Sequence, residues 1–145
     1  MARVSIYVNT QGQTEEAFTH YARTFGSQVT ALQRFREIPQ PEGMPPMAEA
    51  DLDKVMHVEV EILGGLMLMG TDMLESMGQQ VRIGNNTTIN LEPDTYEEAQ
   101  RLFAALSEGA SDAVPLAPMF WGSAWGTCLD RFGIRWMFNA PLPSA

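Results

Sequence analysis

From Val4 to Thr10 apolar and polar residues alternate: Val4, Ile6 and Val8 fall on one side, Ser5, Tyr7 and Asn9 on the other. That period of two predicts a strand with one face buried. The period then lengthens. Phe18, Tyr21, Ala22 and Phe25 recur three and four residues apart behind Thr14 as N-cap, with Glu15 and Glu16 at the positive end of the helix dipole and Gly26 as the stop. Gln28 to Ile38 favours β structure, after which Pro39, Pro41, Gly43, Pro45 and Pro46 forbid regular structure until about Asp53. Val55 to Leu63 and Leu66 to Thr71 read as two strands around Gly64 and Gly65, which suit a two-residue hairpin turn.

The same order then returns. Asn86 to Glu92 predicts a strand, and Asp94 with Glu97 forms a capping box ahead of Ala99, Leu102, Phe103 and Leu106, with Gly109 as the stop. Ala113 to Met119, Ser123 to Leu129 and Ile134 to Phe138 follow as strands, the last two separated by a turn at Asp130 to Gly133. The string EEA at residues 15–17 recurs at 97–99, and the first strand displaced by the same interval falls on 86–92. The chain therefore reads as two βαβββ modules, about 1–73 and 84–145, with a proline-rich loop at 39–53 inserted in the first. One helix covers one face of such a sheet and leaves the other open. The expected fold class is α+β, with curved mixed sheets around a cavity, and function is expected in that cavity.

Composition narrows the function classes. At 145 residues the chain holds one domain, or two small halves sharing a core. Eighteen acidic against nine basic residues leave a charge of −9, which opposes nucleic acid and anionic membranes as partners. With 45% hydrophobic and 19% charged residues the chain is globular, and its longest apolar stretch, Ile62 to Met69, is broken by Gly64 and Gly65. A single cysteine, Cys128, forbids an internal disulfide, and the first residues show no apolar leader segment, so a cytoplasmic location is expected.

Four blocks in this order carry a family signal: EEAFTHYARTFG at 15–26, DKVMHVEVEILGGLMLMGTD at 53–72, FWGSAWG at 120–126 and DRFGIRWMFN at 130–139. They resemble the PhnB-like branch of the glyoxalase/bleomycin-resistance/dioxygenase (vicinal oxygen chelate) superfamily, over nearly the whole chain. The resemblance implies paired βαβββ modules, a homodimer, and pockets formed by the curved sheets. Its members include metal-dependent lyases, isomerases, dioxygenases and thiol transferases, beside proteins that sequester a drug. Branch members also carry a 3-demethylubiquinone methyltransferase-like label, but no glycine-rich nucleotide-binding loop follows the first strand here. Metal-using relatives place His, Gln or Glu ligands on the first and last strands of each module. The corresponding strands here offer Ser5, Tyr7 and Asn9; Thr88, Asn90 and Glu92; Gly70, Thr71 and Asp72; and Arg135, Met137 and Asn139, with no histidine among them. No metal site and no cofactor are therefore expected, with a weakly held divalent metal as the alternative.

The candidate residues follow from the strand registers. If Gly64 and Gly65 are the two turn residues, His57 stands opposite Asp72, and a carboxylate there would orient the imidazole as a general base. The same geometry also reads as a polar pair that secures the hairpin. Glu59 and Glu61 share the His57 face, as a binding pair or as a merely wet surface. Tyr7 and Asn9, on the polar face of the first strand, join Glu59 as expected ligand contacts. Phe120, Trp121 and Trp125 are a candidate wall for a planar or apolar ligand, with Gly122 and Gly126 giving clearance, and Trp136 is assigned to packing. His20 is expected to face solvent, and Cys128 has no neighbouring histidine to activate it. Met44 and Met47 in the loop, and Met67 and Met69 on the hairpin, can line an adaptable apolar surface or fill a core. The loop reads as a lid, a dimer contact or a disordered segment. Two functions remain open: a metal-independent binder of an apolar or aromatic small molecule, or an enzyme of lyase, isomerase or dioxygenase type using His57 and Asp72 or a divalent metal.

Overall fold

A computed structural model of the chain describes residues 1–144, which form two compact units divided between Arg82 and Ile83. In the first, β1 (Ile6–Thr10), α1 (Thr14–Phe25), β2 (Thr30–Arg34), β3 (Val55–Glu61) and β4 (Met67–Asp72) follow in sequence. The second repeats the order with β5 (Ile89–Leu91), α2 (Tyr96–Leu106), β6 (Ser111–Pro118), β7 (Ala124–Leu129) and β8 (Arg135–Ala140). The strands lie in the orders β1-β4-β3-β2 and β5-β8-β7-β6. In both sheets the first strand runs parallel to the last and the remaining pairs are antiparallel. Each sheet is four-stranded and mixed, and neither closes into a barrel. The fold class is the expected α+β pair of βαβββ modules.

The duplication extends to an irregularity that the hydrophobic pattern does not mark. Ala31 and Asp112 adopt left-handed backbone angles (φ 52° and 49°), and each is the second residue of its unit's second strand. The ladder registers shift at both places, so each sheet carries the same bulge on the same edge strand.

Periodicity decides what is buried. α1 packs on β3 and β4, and Phe18 and Tyr21 are buried together with Val8, Val58, Val60 and Leu68 of the sheet, all at most 9% exposed. α2 does the same in its unit, with Leu102 and Leu106 buried and Phe103 meeting Phe138 edge-on at 5.7 Å. Each such large apolar side chain contributes about 1.5–3 kcal/mol when removed from water. Gly70 on β4 lets α1 approach: a Cβ there would lie 2.5 Å from Phe18 Cε1. Gly26 ends α1 in the left-handed conformation expected of it.

Five local expectations are revised. The first helix takes Gln13 as its N-cap, with Thr14 as its first helical residue. The second is capped by Thr95, whose hydroxyl accepts from Glu98 N at 3.1 Å, one residue beyond the expected Asp94 box. The strand foreseen over Gln28 to Ile38 stops at Arg34 and turns into a 3-10 segment at Phe35–Glu37, and β5 is shorter than foreseen. The β3–β4 turn holds three residues: Leu63–Gly65 form a 3-10 turn with Gly64 and Gly65 at positive φ, and Ile62 N donates to Leu66 O at 2.8 Å. Glu61 therefore pairs with Met67 and Val58 with Gly70, a register one residue from that of a two-residue turn. Among the described residues no helix is long and apolar enough to cross a membrane.

Candidate functional site

The one-residue change of register rearranges the predicted site. Alternation sends Leu68, Gly70 and Asp72 of β4 toward α1 and leaves Met69 and Thr71 on the other face, with Tyr7 and Asn9 of β1 and His57 and Glu59 of β3. The expected His57–Asp72 pair does not form. The Asp72 side chain is 4% exposed, and its Oδ1 accepts from Thr14 N at 3.0 Å and Thr10 Oγ1 at 3.2 Å, while Oδ2 accepts from Val55 N at 2.8 Å. With no capping side chain from its own N-cap, the start of α1 is held by this carboxylate.

His57 finds other partners. Its Nδ1 lies 3.3 Å from the Tyr7 hydroxyl and its Nε2 lies 3.2 Å from Glu59 Oε2. A proton on Nε2 satisfies both contacts: Nε2–H donates to Glu59, and the phenol O–H donates to Nδ1. The Tyr7 and His57 rings are tilted against each other with centroids 5.8 Å apart. Strand pairing explains the assembly, because Tyr7 and Glu59 both pair with Met69 from opposite sides of β4, and His57 pairs with Gln33 on β2. His57 and Glu59 expose 23% and 20% of their side chains, so the pair is sheltered without being sealed. Burial raises the Tyr7 phenol above its ordinary pKa, and a hydrogen bond with Thr71 partly offsets this. Asn9 is half-buried on the same face, whereas Glu61 is exposed beside the turn. His20, expected at the surface, is half-buried with its ring 6.1 Å from Tyr21. Gln33 was not foreseen because β2 is bulged, and Thr71, named only among the last-strand positions of metal-using relatives, was put on the wrong face by the assumed turn.

In the second unit, Phe120, Trp121 and Trp125 form a ladder of edge-on contacts, with centroids 5.1 Å and 6.3 Å apart. Phe120 is almost wholly exposed, Trp121 is half exposed, and Trp125 is partly covered on the β7 face that carries no helix. Trp125 pairs with Asn139, whose Nδ2 donates to Asn90 Oδ1 at 2.9 Å. Gly126 has a different task from the expected clearance for aromatic rings. A Cβ on it would lie 2.8 Å from Leu116 Cα, so it admits the neighbouring strand. Trp136 is fully buried, and its Nε1 donates to Asp130 Oδ2 at 2.8 Å. Arg135 is turned to Gly84 O at 2.8 Å and to Asp112 at 3.3 Å.

The His57–Glu59 pair supplies two donors of metal-ligating type. Among the described residues no three His, Cys, Asp or Glu side chains converge to hold an ion. The donor set does not fit the metal pattern that the family resemblance implies.

Comparison with known proteins adds the family. The crystal structure of protein PA1353 from Pseudomonas aeruginosa is 32% identical in sequence and superposes with a TM-score of 0.82 over 98% of this chain and 99% of that one. This chain belongs to the PhnB-like branch of the glyoxalase/bleomycin-resistance/dioxygenase superfamily. Protein YjdN of Escherichia coli K12 is 25% identical over 141 residues, covering 94% of this chain and 93% of YjdN. A PhnB protein from Bacillus cereus has the same fold, with a TM-score of 0.75 and 18% identity over 96% of this chain and 99% of its own. No protein-family model matches the chain.

Proposed function

We propose that this PhnB-like chain binds a small apolar or aromatic molecule on the sheet faces that carry no helix, without a catalytic metal. The observation that carries the reading is the Tyr7–His57–Glu59 chain of hydrogen bonds on the first sheet. It offers a phenol and an imidazole of fixed tautomer, with Met69 as apolar floor between Tyr7 and Glu59. A ligand with one donor group would give its hydrogen bond to the Tyr7 oxygen and lay its apolar part on the methionine. Asn9 belongs to the same face, and Phe120, Trp121 and Trp125 supply flat apolar surface in the second unit. The chain acts in this reading as a cytoplasmic homodimer.

A second reading rests on the same three residues. An imidazole with a carboxylate on one nitrogen and a phenol on the other is arranged to carry a proton, so acid/base chemistry of lyase or isomerase type would run through His57 with Glu59 as its orienting group. Asp72 has no part in it.

Native mass spectrometry with elemental analysis of the purified protein tests both readings, since it reports subunit number, bound metal and any co-purified molecule. A metal-free dimer carrying or accepting an aromatic ligand supports the binding reading, and a stoichiometric metal overturns it. Ligand turnover that falls at least about a hundredfold in H57A, with affinity retained, selects the acid/base reading.

A further inference from the structure

We infer that the proline-rich loop encloses a second binding site, for a small neutral apolar molecule, on the side of β3 opposite His57. A cavity of about 520 Å³ lies within the first unit, lined by Phe35, Ile38, Met44, Met47, Met56 and Met77, together with the loop's prolines. That volume falls in the range that encloses small organic ligands. Met56 precedes His57 on β3, so its side chain leaves the strand on the other face, and the two places are separated by the sheet.

The walls are held before any ligand arrives. Phe35 N donates to Lys54 O at 3.1 Å and Arg36 N to Leu52 O at 2.8 Å, which closes the neck of the loop. Arg36 pairs with Asp53 at 3.0 Å and Arg34 with Glu15 at 2.7 Å, outside the cavity. The buried Asp51 ties the far wall by accepting from Lys54 Nζ at 2.9 Å and from the Ser76 hydroxyl. A cavity with pinned walls takes a ligand without first ordering itself.

Its chemistry selects the occupant. None of the lining side chains is charged; the Ser76 hydroxyl is already given to Asp51, and Gln40 supplies one neutral amide. A charged ligand would lose its hydration there and gain no opposite charge. Four thioethers adapt to irregular apolar shapes, and Met44 and Met77, both more than half exposed, stand where a ligand would cover them. Glu37, Glu42, Glu49 and Glu75 adjoin the lining residues in sequence, while Arg34 and Arg36 are already paired. That acidic border opposes a second copy of this chain as the occupant, since it would bring like charges together.

Titration of the full chain with N-phenyl-1-naphthylamine, a neutral apolar fluorophore, tests the assignment, with subunit mass followed at each protein concentration. The expected result is a saturable, blue-shifted signal in which one probe per chain is attributable to this cavity. Affinity should weaken at least about tenfold in M44Q/M77Q, because two thioether contacts are exchanged for amides. It should stay unchanged in L142A, which trims an exposed apolar side chain of the other unit. Both methionines are surface residues, so the double variant is expected to unfold with the parent, and a circular dichroism melt verifies this. Absence of saturable binding by the parent overturns the site, as does equal affinity in M44Q/M77Q. So does a dimer that excludes the probe and dissociates in the double variant, which would make the groove an interface.

Discussion

Asp72 and Thr14 are joined by a hydrogen bond of 3.0 Å that fastens the first turn of α1 to the end of β4. The same carboxylate serves Thr10 and Val55, so a residue of catalytic type on an active-face strand is spent on structure. Asp72→Ala leaves two backbone donors and a hydroxyl without their acceptor and is expected to cost about 2–4 kcal/mol. His57→Ala, on a partly exposed face, is expected to stay within about 1 kcal/mol. Urea unfolding of the two variants measures the contrast, and equally small losses would return Asp72 to the site.

Gly70 faces the ring of Phe18, which is itself fully buried and has no room to withdraw. Gly70→Ala should therefore destabilise by about 1–3 kcal/mol through overpacking. Gly84, where the closest atom to a new Cβ is Asn86 Oδ1 at 3.5 Å, provides the control, and Gly84→Ala should unfold with the parent. Thermal melts of both variants decide the matter.

The Asp51 carboxyl is held below the usual carboxylate range by the Ser76 hydroxyl first and by Lys54 second. A lowered folded value means that its stabilisation is complete above the ordinary carboxylate pKa of about 4 and is lost as pH falls through the lower folded value. The stability difference between parent and Asp51→Asn should accordingly be flat at neutral pH and shrink only in acid below about pH 4. Denaturant midpoints recorded down the pH scale would show it, and a difference that shrinks near pH 6 would assign the effect to another group.

Burial, with a smaller contribution from Asp130, pushes the Cys128 thiol up to about 11. It has no exposed surface beneath α2. Iodoacetamide at about pH 8 should leave the folded chain unlabelled, and one adduct should appear after denaturation. Intact-mass measurement counts the adducts, and rapid labelling of the folded chain would contradict the packing of β7.

How much was legible depended on whether a feature is written in periodicity or in a turn. The order of elements, the apolar face of α1 and the duplicated unit all follow from spacings of two and of three to four, which the chain obeys in both halves. The site depended on one turn. Gly64 and Gly65 announce left-handed backbone but not whether Leu63 is also inside the loop, and a strand's faces exchange with a single residue of slip. His57 and Glu59 survive that slip because they lie two apart on one strand, whereas the cross-strand partner changes from Asp72 to Tyr7. The first N-cap failed for a related reason: Thr14 N is satisfied by a carboxylate from a distant strand, which no local motif records. The loop cavity was foreshadowed only by its methionines, since its walls come from segments on either side of β3.

In each unit the earliest strand is clasped by the latest: Ile6 lies beside Leu68, and Ile89 beside Trp136. During synthesis β1 therefore emerges first and is paired last, with Val8 lacking its neighbours until β4 leaves the ribosome. The β3–β4 hairpin, whose strands meet across a three-residue turn, can form as soon as it is made, and it then becomes the template on which the waiting strand docks. A nascent chain halted before Met67 would carry that apolar edge uncovered, and would be a client for chaperones until a few more residues allowed the first unit to close.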